Sequence, residues 1–285
     1  MAFLLEITVQ TRFQRLSTHG LAALVALGAA FGAASARADE VRVFAAGAAK
    51  QAVQSLAPAF EAATGHRIVA HYDTVGALRD RVLAGQPGAT TDVVILSDAA
   101  LTALRGAGQL LGPGSANNPP TSLPSSRPGN VALGKVVVAL AVPASAGAPD
   151  IGTEAALRQA LIAAPSIAYA DPARGATAGT HFAKVVQALG LTEAINSKTT
   201  VLPFGVDVIA AVAEGRFALG VSQSSEIMQH HGIRFAGGLP APHALATGYG
   251  AALASSSAAG AQWLAFVAGP QGTAAFAASG FVAGP

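Results

Sequence analysis

The sequence predicts an α/β protein of mainly parallel sheets flanked by helices, and three observations carry that expectation. Short β-rich runs alternate with helical apolar stripes over Val41–Leu110, giving three β–α units in succession. The alternation begins again near Gly134, so the chain holds a second α/β set with turns of its own. Within the first set, Val93–Leu96 is an unbroken apolar run between polar residues, the pattern of a strand buried on both faces.

Taken in order, Val41–Ala45 is a strand that breaks at the small turn Ala46–Gly47–Ala48 into a helix. Val53, Leu56 and Phe60 fall at steps of three and four on that helix, and Gly65 stands just past its end, where positive φ is often needed. His66–Tyr72 is the next strand, and Asp73–Thr74–Val75–Gly76 turns into a helix with Val75, Leu78 and Val82 on one face. Ser97 and Asp98 are N-cap types that open a third helix, whose stripe runs through Leu101, Leu104 and Leu110. Gly112–Asn130, dense in Gly, Pro, Ser and Asn, reads as an exposed loop inserted between the two sets. Lys135–Val142 resumes the strand pattern, Thr153 caps a helix reaching Ala163, and Ser166–Tyr169 is a strand. A second small-residue turn, Arg174–Thr180, leads into a helix bearing Phe182, Val185, Val186 and Leu189. Lys198–Leu202, Val206–Glu214 and Ala218–Val221 follow as strand, helix and strand. Ile233–Ala236 and Thr247–Leu253 add two strands, and Ala258–Ala268 and Pro270–Ser279 are closing helices.

The first 38 residues are set apart from the fold. Arg12 and Arg15 precede an apolar run from Leu21 to Phe31, and Ala36–Arg37–Ala38 supplies small residues at a cleavage position. That is the layout of a secretory signal, with cleavage expected after Ala38 and a periplasmic destination. Of 17 basic and 15 acidic residues, this segment takes Arg12, Arg15, Arg37 and Glu6, leaving 14 of each in the mature chain. A neutral chain without a basic cluster gives no support for a nucleic-acid partner. The absence of cysteine excludes thiol catalysis and Cys-ligated zinc or iron–sulfur centres. His230–His231 has no acidic or cysteine companion nearby, so neither a metal nor an organic cofactor is expected. There is no GxGxxG, no phosphate loop and no HExxH, and GVSQS (Gly220–Ser224) lacks the final glycine of a nucleophile elbow.

Ligands in open α/β sheets sit at the C-terminal ends of strands. Four turns meet that description: Ala46–Ala49, Thr74–Gly76, Arg174–Thr180 and the neighbourhood of Gln223. A strand feeding a helix through small residues leaves first-turn N–H groups open at the positive end of the helix dipole, which suits an anion.

Four segments, VFAAGAAKQAVQSLAPAFEAATG, TDVVILSDAALTAL, SIAYADPARGATAGTHFAKVVQALG and AEGRFALGVSQSSEI, occur in the same order as in a known family. With them the chain resembles bacterial periplasmic solute-binding proteins of the molybdate-binding type over about Val41–Phe281. The resemblance implies the type II periplasmic binding fold: two α/β lobes joined by two crossovers and closing on a ligand. Residues 39–130 and 240–285 would form one lobe and 131–239 the other. It also implies a small anionic ligand and a membrane ABC permease as partners, with the protein a monomer. Carried across, the family's site falls on Gly47 and Ala48, on Thr74, Val75 and Gly76, and on Thr177, Ala178 and Gly179, with Gly205, Val206 and Gln223 completing it. The family's first turn offers a serine hydroxyl where Ala48 stands, its second offers serines where Thr74, Val75 and Gly76 stand, and its closing tyrosine is replaced by Gln223. Hydroxyls contribute roughly 1.5–3 kcal/mol each to a charged group, so the resemblance implies weakened or redirected oxyanion binding.

Some relatives in this family resemble aconitate isomerases, which move a proton within a tricarboxylate. That chemistry needs a base beside an acidic C–H and cations for the carboxylates. His181 is the candidate base, with Arg174 and Lys50 as carboxylate partners.

Overall fold

The structure is a computed structural model, and it describes residues 39–85, 90–111 and 130–282. The expected signal (1–38) and nearly all of the expected loop (112–129) lie outside those residues.

Strand β1 (Glu40–Ala46) pairs in parallel with β2 (Arg67–Asp73) on one side and β3 (Val93–Ser97) on the other. β9 (Ala246–Leu253) continues this first sheet antiparallel to β3. β4 (Val131–Pro143) belongs to both sheets: residues 131–137 pair with β9, and 138–143 pair with β7 (Leu219–Gln223) and β8 (Ile233–Gly238). β5 (Ile167–Ala170) lies parallel to β7 and to β6 (Thr199–Leu202), completing the second sheet. The two-lobed α/β expectation is met, with parallel strands outermost and antiparallel strands at the join. The boundary expected at residue 131 falls inside β4, since the strand changes sheets only after Val137. The chain returns through 239–245, between β8 and β9, so two crossovers join the lobes.

The helices are α1 (Lys50–Thr64), α2 (Val75–Leu83), α3 (Asp98–Gly106), α4 (Glu154–Ala163), α5 (Thr177–Ala188), α6 (Thr192–Asn196), α7 (Gly205–Ala213), α8 (Ser224–Met228), α9 (Ala258–Ala268) and α10 (Pro270–Ala278). None of them is long and apolar enough to cross a membrane among the described residues. Their caps match the sequence chemistry. Thr74, Ser97 and Thr153 each accept a backbone N–H from three residues on, as N-cap hydroxyls do. Gly65 closes α1 at φ 76°, a left-handed conformation that glycine adopts without a Cβ clash.

α3 stops at Gly106, short of Leu110, which the sequence stripe had included. Leu110 is nevertheless buried, reaching the core from the connection that follows the helix. The five-residue helices α6 and α8 are additions to the expected elements.

β3 is buried along its whole length, as its apolar run requires. The first core gathers Val53, Leu56 and Phe60 of α1 with Trp263 and Leu264 of α9 against β1, β3 and β9. Two further cores cover opposite faces of the second sheet, one under α4 and α5 and one under α7 and α8. With rigid sheets on either side, the C-terminal ends of β1, β2, β5 and β7 converge.

Candidate functional site

Those strand ends enclose a cavity of about 240 Å³. From the first sheet it is lined by Gly47, Ala48 and Lys50 after β1, by Tyr72 and Asp73 at the end of β2 with Thr74 and Val75 after it, and by Tyr249 of β9. From the second come Thr177 and Ala178, then Phe204, Gly205, Val206 and Asp207, then Ser222, Gln223 and Glu226. Four helices of nine or more residues, α1, α2, α5 and α7, begin at this cavity. Their open N–H groups and dipole ends favour negative charge there.

Two of the expected backbone positions serve packing instead. Gly76 N–H donates to the Gly175 carbonyl at 3.1 Å, holding α2 against the turn of the other lobe. Gly179 presses so closely on β5 that a Cβ would lie 1.7 Å from the Ala170 oxygen. Neither residue lines the cavity.

The charged candidates divide in the same way. Lys50 lines the cavity, its Nζ standing 5.7 Å from the centre of the Tyr72 ring. Arg174 lies at the edge: it donates to Asp73 at 3.0 Å and stacks 4.7 Å over the Phe204 ring. The Thr74 hydroxyl also donates to the Arg174 carbonyl, so this turn ties the two lobes together. The ion pair is partly exposed, and such pairs contribute about 0–1 kcal/mol.

His181 is not brought into the cavity, which corrects its candidacy as a base there. Its Nε2 donates to the His243 carbonyl at 2.8 Å, and the residue lines an adjoining groove with Arg79 and Lys184, which shares only Val75 and Thr177 with the cavity. Only the first turn of α5 abuts the cavity, and His181 is one turn further along.

The residue that sequence reasoning passed over is Glu226. Its Oε2 accepts from the Ser222 hydroxyl and, at 3.4 Å, from the Gln223 N–H. Gly47 and Gly205 make room for it: a Cβ on Gly47 would lie 2.8 Å from Oε1, and one on Gly205 would lie 2.2 Å from Oε2. Burial pushes the Glu226 carboxyl above its ordinary range; its Ser222 and Gln223 hydrogen bonds act the other way, and the nearby Asp207 raises it further.

Beside it, Gln223 is 3% exposed, its side chain turned toward the Glu226 N–H at the start of α8 and toward the Tyr249 hydroxyl. Burial lifts the Tyr72 phenol to about 12 and the Tyr249 phenol higher still, so both remain hydroxyl donors. Two tyrosines therefore line the cavity, Tyr72 from β2 and Tyr249 from β9.

The geometry can be set beside known proteins. A family profile described as bacterial extracellular solute-binding protein matches residues 41–282. The chain is 29% identical over 251 residues to an aconitate isomerase from a Pseudomonas species, covering 86% of this chain and 87% of that one. Among solved structures it is similar to the periplasmic molybdate-binding protein of Azotobacter vinelandii, with a TM-score of 0.64 and 20% identity over 86% of this chain and all of that one. It is also similar to a periplasmic thiamin-binding protein, with a TM-score of 0.63 and 16% identity over 86% and 84% of the two chains. At those identities the structural likeness establishes the shared two-lobed fold. The matched profile spans almost the whole described chain, and the protein belongs to the bacterial extracellular solute-binding protein family.

Proposed function

We propose that the protein is an exported, monomeric binding protein that takes a small organic acid in the inter-lobe cavity and delivers it to a membrane ABC permease. The observation that carries this reading is the half-buried Glu226 carboxyl standing among four helix N-termini. The helix ends and Lys50 suit carboxylate oxygens. A tetrahedral oxyanion, held by many O–H and N–H donors, is served less well because Ala48 and Val75 bring no hydroxyl. The cavity, smaller than the ~300–1,000 Å³ of drug-sized pockets, restricts the occupant to a small solute.

A thermal-shift panel of molybdate, tungstate, sulfate, phosphate, citrate and trans-aconitate tests the reading. A ligand at about a hundred times its Kd adds roughly 2.7 kcal/mol, a shift of about 5–10 °C for a chain of this size. The largest shift is expected from a polycarboxylate. A largest shift from micromolar molybdate would reject the organic acid in favour of an oxyanion.

A second reading, an isomerase moving a proton within a tricarboxylate, is favoured by the aconitate isomerase likeness together with Glu226. A carboxyl with a raised pKa can exchange protons near neutrality, the role that the sequence had suggested for His181. Turnover of trans-aconitate, lost in Glu226→Ala and kept in His181→Ala, would move the protein into that class.

A further inference from the structure

We propose that the cleft takes up its carboxylate ligand together with one proton, held on Glu226. The inference rests on the organic-acid reading above and adds which side chain makes room for the ligand's charge.

Geometry carries it. Glu226 Oε2 is occupied by the Ser222 hydroxyl and the Gln223 N–H. Oε1 lies against Gly47 of the other lobe, where a Cβ would come within 2.8 Å, and the hydrogen bonds that Glu226 accepts among the described residues both go to Oε2. Gln223 brings the second observation, a buried amide lining the same cavity between Glu226 and Tyr249.

The charges around Glu226 can be followed element by element. α7 presents Asp207, and α1 presents Lys50, the one cationic side chain lining the cavity among the described residues. β2 presents Tyr72 and Asp73, the latter already met by Arg174. β9 presents Tyr249, and β7 presents the uncharged Ser222 and Gln223. Two unmatched carboxyls thus face one ammonium before any ligand enters.

A ligand carboxylate beside an ionised Glu226 would place like charges together in an enclosed, weakly screened space. Protonation removes that repulsion and makes Oε1 a donor aimed at the ligand. The product is a carboxylic acid hydrogen-bonded to a carboxylate, a short, charge-assisted bond. Gln223 Nε2 donates alongside it. Burial and Asp207 already bias Glu226 toward its protonated form. No oxidant or further reactant is needed, since the proton comes from solvent.

Calorimetric titration of the mature chain with trans-aconitate and with succinate, between about pH 6.5 and 8.5, tests this. Both probes are essentially fully ionised there, so their own titration does not enter. For the wild type, Kd should weaken by up to about tenfold per pH unit toward alkaline pH. Repeating the titration in buffers of different ionisation enthalpy should show uptake approaching one proton per ligand. Glu226→Gln, whose amide imitates the protonated carboxyl, should bind with little pH dependence and, at the alkaline end, at least about tenfold more tightly than wild type.

Equal pH slopes in wild type and variant, or no proton uptake by wild type, would overturn the proposal while leaving the organic-acid reading standing. Loss of binding by Glu226→Gln at every pH, with an unchanged melting temperature, would assign Glu226 as an ionised acceptor and also overturn it. If neither acid binds either protein at any pH, the organic-acid reading fails and this inference falls with it.

Discussion

Gly205→Val is expected to abolish ligand binding while the protein still folds. Gly205 is the first residue of α7, and a Cβ there would lie 2.2 Å from Glu226 Oε2 and 2.4 Å from the Ser222 hydroxyl. Both obstructing groups are side-chain atoms, so the added bulk pushes them aside rather than breaking the backbone. The displaced Glu226 loses its Ser222 and Gln223 hydrogen bonds and swings into a cavity of only about 240 Å³. Overpacking of this kind costs about 1–3 kcal/mol of stability, which a chain of this size can absorb. Binding should weaken by at least about a hundredfold, equivalent to ~2.7 kcal/mol, as read by calorimetry with citrate or trans-aconitate. An unchanged Kd would mean that the ligand sits elsewhere.

The largest loss of stability is expected from Trp263→Ala. Trp263 is fully buried in the first core, meeting Phe60 edge-on at 5.1 Å and stacking with Phe266 at 6.1 Å. Truncating a buried Trp or Phe to Ala costs about 3–5 kcal/mol through lost contacts and a residual cavity. At 2–4 °C per kcal/mol, the melting temperature should fall by about 6–20 °C. The indole Nε1–H has no partner among the described residues, so Trp263→Phe removes an unsatisfied donor along with the extra ring and should cost far less. Urea unfolding of the three proteins, with an unchanged m-value, checks the order. Phe60 belongs to α1, whose first turn forms one wall of the binding cavity. The alanine variant should therefore also bind more weakly near its own transition.

Most of the fold was legible because its signals are local. Val53, Leu56 and Phe60 mark one face of α1, Val93–Leu96 mark a strand covered on both sides, and Thr74, Ser97 and Thr153 mark helix starts. The five-residue helices α6 and α8 escaped because a single turn has too few positions for a periodic stripe. Leu110 misled because a buried leucine in a connection reads like one more helical position.

The turns around the cavity were legible for the same local reason, as small residues between strand and helix. The side chains that give the site its chemistry were not. Tyr249 reaches the cavity from β9, and Glu226 points inward because α8 begins where β7 ends; both depend on how distant segments meet. An acid was also the last residue type to look for in a site expected to hold an anion. His181 shows the converse. Its proximity in sequence to Ala178 suggested the cavity, but a ligand beyond a helix end meets only the first turn.

A small organic acid held between the lobes by the N-termini of α1, α2, α5 and α7 should protect backbone amides in both lobes. Amide hydrogen exchange with and without saturating citrate or trans-aconitate, whichever gives the larger thermal shift, tests it most directly. Protection should rise together in 47–50, 74–77, 177–180 and 205–208, two segments from each lobe, and much less elsewhere. Protection confined to one lobe, or centred on the groove around His181 and Lys184, would contradict the account.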